Sequence, residues 1–231
     1  MNTGIPDRSR GVERLAGMTG LLISFLVVTA IFTGLDINPE FRVIHEDLAY
    51  LGENLFRLRI DNLVWFINSI LIILFGPLIL MSFLSQGRSS AYLAAFLICT
   101  TGIIYLIFAV NGFNLIYLVR EYLGAEGSET ELIASLSYNI LITKTNLQLT
   151  AYSLAGISSV ILGLMIVRSG SIPRFIGWVA ITGGMIYGCA GWINADSLLF
   201  TLGRLLFVLS LILLGAVLLL RGKKKQKDKL S

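Results

Sequence analysis

The chain has 231 residues, of which 55% are hydrophobic and only 14% charged, with a formal net charge of +4. A soluble globular domain carries about 25% charged residues, so this composition, with its mean hydropathy of +0.81, excludes a soluble globular protein. Cys99 and Cys189 fall in different apolar stretches at different depths, which argues against a disulfide or a metal pair, and with His45 as the one histidine no zinc-ligand spacing is present.

A helix needs about 20 residues to cross a hydrocarbon core of about 30 Å. Six stretches meet that length, at about 15–34, 60–84, 91–119, 146–167, 175–195 and 198–220. The expectation is an all-α, six-helix transmembrane bundle, with residues 1–231 forming one integral membrane domain and residues 221–231 a basic tail. The first stretch follows Arg8, Arg10 and Arg14 as a signal peptide would. Its apolar run from Leu15 exceeds the usual signal length of about 7–15 residues, so it reads as a retained helix.

After the first span, Asn38-Pro39 reads as an N-cap followed by proline at the first helical position. Phe41, Ile44, Leu48 and Leu51 then recur at helical spacing before Gly52. In the second span, Pro77 after Gly76 removes a backbone hydrogen bond and bends the helix. After the third, Ser128-Glu129-Thr130-Glu131 fits a capping box ahead of Leu132, Ile133, Leu136 and Ile140. Both outer connections therefore read as short amphipathic helices over the mouth of the bundle or in the interface; plain linkers are the alternative. The inner turns, residues 86–89 and 168–173, are tight.

Lipid supplies little hydrophobic drive between helices, so close packing relies on small residues. The fourth span carries Ala151, Ala155, Ser159 and Gly163 at four-residue spacing, and the fifth carries Gly177, Gly184, Gly188 and Gly191 on one face. These faces serve packing within the bundle or, alternatively, dimerisation.

Charge sets the orientation. Arg8, Arg10, Arg14, Arg88, Arg168, Arg174, Arg221 and the tail lysines collect on one side. The other side has Arg42, Arg57, Arg59, Arg120 and Lys144, outnumbered by acidic residues from Asp36 to Glu131. The positive-inside rule then puts both termini in the cytoplasm. The basic run from Arg221 to Lys229 is an orientation anchor, or attracts anionic lipid at about 1 kcal/mol per charge. Nothing folded presents it to nucleic acid.

Three segments together resemble domain-of-unknown-function family 4386, a group of mostly bacterial polytopic membrane proteins. They are Arg14-Leu15-Ala16-Gly17, Asn54-Leu55-Phe56-Arg57-Leu58-Arg59-Ile60-Asp61, and Ser169-Gly170-Ser171-Ile172-Pro173-Arg174-Phe175-Ile176-Gly177. Leu58 stands where that family's motif has glycine. The resemblance implies an integral membrane fold in a prokaryotic plasma membrane, and no substrate.

Charged and amide groups inside a bilayer are costly, so their placement is informative. Arg204 lies about two turns inside the outer end of the sixth span, with Asp61, Asn68, Asn111, Asn114, Gln148, Tyr152 and Trp192 in the same outer zone, while the inner halves are nearly all apolar. Asn62, Asn146 and Asn194 share that zone, and Asp61 and Asp196 are possible counterions for Arg204. A through-going pore would need polar groups at every depth. The asymmetry points instead to an outward-facing cavity for a small anionic or amphipathic ligand, centred on Arg204. The bland reading treats the amides as interhelical glue worth about 0.6–2 kcal/mol each. No nucleophile turn, phosphate loop or dinucleotide fingerprint is present, and neither Asp61 with His45 nor a haem on His45 alone makes a catalytic centre. The expectation is a non-enzymatic protein without cofactor; a structural subunit of a membrane complex, or a transporter using Pro77 and the glycine-rich fifth span, are the alternatives.

Overall fold

A computed structural model describes residues 6–34, 44–193 and 198–227. Among them are seven α-helices and no strand: α1 (Pro6–Thr33), α2 (Ile44–Glu53), α3 (Leu55–Phe83), α4 (Arg88–Tyr122), α5 (Ser128–Ser169), α6 (Arg174–Ile193) and α7 (Leu198–Lys227). Six of them, all but α2, are long and apolar enough to cross a membrane. Each presents apolar side chains outward as well as inward: Phe25, Leu74, Phe96, Ile157, Met185 and Leu209, one per span, are exposed. Helices apolar on every side are stable only where the surroundings are apolar too, and the chain is a multi-pass membrane protein.

The spans close into a ring. α1 packs on α3, α3 on α4, α4 on α5, α5 on α6, α6 on α7, and α7 returns to α1. Small residues bring several of these pairs close. A Cβ on Gly163 would lie 2.6 Å from the Gly177 carbonyl oxygen, and one on Gly156 2.5 Å from that of Gly184. α7 meets α1 in the same way, with Gly17 2.6 Å from the Gly215 oxygen on that measure. The α5 stripe thus divides. Ser159 and Gly163 face α6, where the Ser159 hydroxyl donates to the Ala180 carbonyl at 2.9 Å. Ala155, together with Ser159, lines the interior of the ring, and Ala151 is fully buried. On α6, Gly177 and Gly184 abut α5 backbone, a Cβ on Gly188 would lie 3.4 Å from the Gly156 Cα, and Gly191 leaves room for the Leu149 and Phe200 side chains.

Pro77 carries no N–H, so the Ile73 carbonyl one turn earlier loses its helical donor. The Cys99 thiol of α4 points at that oxygen, 3.5 Å away. Cys189 is a free thiol on the exposed face of α6.

α2 lies across the ends of α3, α4 and α5. Ile44, Leu48 and Leu51 are at most 1% exposed, packed against Leu58, Leu115, Val119, Ala134 and Leu141. Burying each such side chain is worth about 1.5–3 kcal/mol, enough to seat a helix of 10 residues. Gly52 lies inside α2, and its missing side chain admits Leu123, 2.9 Å from a built Cβ. Asn38, Pro39 and Phe41 lie outside the described residues.

The second expected amphipathic segment takes another form. Residues 128–140 are the first turns of α5, which runs on unbroken for 42 residues. Gly127, not Ser128, holds the N-cap position, and no side chain caps it. Ile133, Ser137 and Leu141 are buried, so this extension already packs on its neighbours and nothing separates it from the span.

Candidate functional site

Polar chemistry inside the ring is arranged in tiers, starting from the α2 end. Arg57 caps α1: its guanidinium donates to the Phe32, Thr33 and Gly34 carbonyls at 3.1, 2.9 and 2.7 Å, the acceptors a helix C-terminus leaves open. The Thr33 hydroxyl donates to Asp61 at 3.3 Å. Asp61 and Lys144 are each 8% exposed and Asn62 is wholly buried. Lys144 Nζ donates to Asn62 Oδ1 at 3.3 Å and sits 4.5 Å from the centroid of the Phe108 ring. Asn62 fits there because Gly112 faces it across the α3–α4 contact; a Cβ on Gly112 would overlap the amide. Lys144 and Asp61 do not touch as an ion pair. Lys144, Arg204 and Arg57 act on Asp61 through space.

An aromatic tier follows. Trp65 stacks on Tyr105 at 4.7 Å and meets Phe108 edge-on at 5.7 Å. Tyr187 packs on Tyr152 at 4.7 Å, Phe200 at 5.5 Å and Phe207 at 4.9 Å. Gln148 donates to the Tyr152 hydroxyl, and the Tyr105 and Tyr187 hydroxyls lie 3.5 Å apart. The charge of Arg204, half-buried on α7, acts on all three tyrosines.

Beyond Tyr105 and Tyr187 the ring holds a narrow central cavity, walled by all six spans, with about 60 Å³ of room for the centre of a water-sized sphere. Ile23, Ile72, Ile98, Leu162, Ile176 and Leu214 each bring one apolar surface from a different helix. Asn68 is the amide in the wall. It is 0% exposed, and neither its Nδ2 nor its Oδ1 has a hydrogen-bond partner among the described residues.

The candidate residues therefore separate. Arg204, Asp61, Gln148 and Tyr152 converge in the charged and aromatic tiers, and Asn68 alone of the eight lines the cavity. Asn111 turns back on its own helix, donating to the Ile107 carbonyl at 2.9 Å. Asn114 is exposed in a shallow groove with Asn139 and Thr143 between α4 and α5. Trp192 is 58% exposed, its indole N–H on the Ser153 hydroxyl at 2.6 Å. His45 keeps away from Asp61, bound to Tyr122 at 2.9 Å and 3.5 Å from Glu131. Asn194 and Asp196 lie outside the described residues.

Two corrections follow. The cavity lies past the aromatic tier and extends to Ile166, Ile176 and Leu214, deeper than a pocket confined to the outer half. Lys144, counted among the outer-side charges, is a buried member of α5. Its signal was present: Ile133, Ser137, Leu141, Lys144, Gln148, Ala151 and Ala155 follow one another at steps of three and four, a single helix face.

A family model described as Domain of unknown function (DUF4386) matches residues 18–222. The chain belongs to that family. Neither a curated protein nor a solved structure matches it. Within the matched residues, Gly177 is a close-contact glycine of α6 and Arg57 is the cap on α1; Gly17, the close-contact glycine of α1, lies just before them. They hold the ring together, and none of the three lines the cavity.

Proposed function

We propose that this protein is a non-enzymatic membrane protein that binds a small amphipathic molecule inside its helix ring. The observation that carries the reading is the six-walled cavity into which the fully buried amide of Asn68, without a partner among the described residues, is built. The ligand is amphipathic rather than anionic because the wall, among the described residues, holds no lysine, arginine, aspartate or glutamate, and an ion without a partner is costly to bury. The charged tier around Arg204, Asp61 and Lys144 closes the α2 end and acts on the tyrosine roof from above.

Charge asymmetry supports a prokaryotic plasma membrane setting with α2 outside and both termini in the cytoplasm. The tail from Arg221 to Lys229 meets anionic headgroups on that side. Cysteines placed at Asn139 and Lys229 test this by labelling only from outside and only after permeabilisation, respectively.

Native mass spectrometry of the protein extracted gently from its own membrane tests the binding reading, beside a Ser158→Leu variant that fills the cavity. Ser158 bonds only to its own helix, at 2.8 Å to Ala155, so the substitution adds bulk without breaking a link between helices. A small molecule held by wild type and lost from the folded variant is the expected result. Wild type without any small molecule, or with a protein at fixed ratio instead, overturns it, the latter in favour of a structural subunit.

A further inference from the structure

The donors and acceptors facing the cavity can be followed one by one. Thr101 donates to the Leu97 carbonyl at 2.8 Å, Ser158 to Ala155 at 2.8 Å, Ser159 to Ala180 at 2.9 Å and Ser210 to Phe207 at 2.7 Å. Each hydroxyl proton is thus spent on backbone, and only lone pairs remain for a guest. Tyr105 and Tyr187 share one contact of 3.5 Å, which engages at most one of their two protons. Asn68, fully buried, has a partner among the described residues for neither its N–H donors nor its carbonyl. The wall offers no counterion.

These facts select among head groups. A charged head meets no partner and loses its hydration. An acceptor-only head, such as an ester, answers the Asn68 N–H but leaves Oδ1 unpaired. A head that accepts and donates through adjacent atoms pairs with both at once. Resting on the reading above, we propose that the cavity binds an uncharged, lipid-soluble molecule whose polar end is a C(=O)–XH group, a carboxamide or protonated carboxylic acid, pairing at two points with the Asn68 side chain. Its apolar body lies against the isoleucines and leucines of the wall.

Trp65 provides the readout, being 4% exposed and stacked on the cavity residue Tyr105. Trp178 and Trp192, both 58% exposed, are replaced by Phe to leave one fluorophore. The full chain in phosphatidylcholine nanodiscs is titrated with a bromine-tagged decanamide, whose bromine quenches Trp65. Decanamide, methyl decanoate and decyltrimethylammonium then compete.

Saturable quenching is expected, with decanamide competing about tenfold better than the ester and the ammonium not competing. In Asn68→Leu, amide and ester should become equal while saturation persists. Equal competition by amide and ester in the parent, a preference that survives Asn68→Leu, or effective competition by the ammonium overturns the assignment of the head group. The first result would mean that Asn68 is solvated by water instead. The cavity reading itself is tested separately by Ser158→Leu. Quenching that persists in this folded variant, or none in the parent, overturns that reading and the head-group assignment with it.

Discussion

Lys144 on α5 reaches across the ring to Asn62 on α3, donating to its amide oxygen at 3.3 Å over 82 residues of chain. The bond places a cation where the surroundings are almost wholly protein, with Asp61 acting on it through space. Buried ions without a touching partner are held by the geometry around them, and removing one leaves the other exposed to the full cost of burial.

The Lys144–Asp61 relationship predicts coupling. Lys144→Met and Asp61→Asn should each lower stability, and the double variant should lose less than their sum. An interaction term of about 1–3 kcal/mol is expected, read from unfolding in mixed micelles. Strict additivity would mean that Arg204 and Arg57, not Lys144, compensate Asp61.

Asn68 predicts the reverse sign. A buried amide without partners costs about 1–3 kcal/mol, and an apolar residue of similar shape removes that penalty. Asn68→Leu should therefore raise the thermal midpoint of the ligand-free protein. A lowered midpoint would show that the amide has a stabilising role in the empty ring.

The α5–α6 contact predicts which glycines tolerate a methyl group. Gly163→Ala puts a Cβ 2.6 Å from backbone oxygen, and such overpacking costs about 1–3 kcal/mol. Gly11→Ala has nothing within 4 Å and should stabilise α1 by about 0.5–1 kcal/mol. Equal melting of the two variants would contradict the close approach.

Cys99 and Pro77 predict a conditional effect. Cys99→Ala removes the donor to Ile73 and should cost about 0.5–1 kcal/mol. Pro77→Ala restores a backbone N–H for the same carbonyl, so Cys99→Ala should be nearly silent in that background. The same loss in both backgrounds would assign the effect to packing alone.

Much of this architecture is written in local stretches of chain. In lipid every backbone donor must be satisfied within its own segment, so six long apolar runs become six helices without reference to one another. The α5 and α6 small-residue faces were legible for the same reason, since helical spacing alone aligns Ser159 with Gly163 and Gly184 with Gly188. Asn68 was legible as a candidate because an amide between Ile67 and Ser69 sits well inside an apolar run.

Tertiary structure decided the rest. Apolar runs do not state which helices are neighbours, and the return of α7 to α1 depends on Gly17 meeting Gly215 from opposite ends of the chain. Ring closure in turn creates the cavity, buries Lys144 against Asn62, and leaves Asn68 facing space while Asn111 and Asn114 turn elsewhere. Sequence by itself determined that this chain crosses a membrane and where its helices run, because solvation by lipid acts residue by residue. Where its polar groups find partners, and where one finds none, was decided only when side chains from six separate helices came to share one interior.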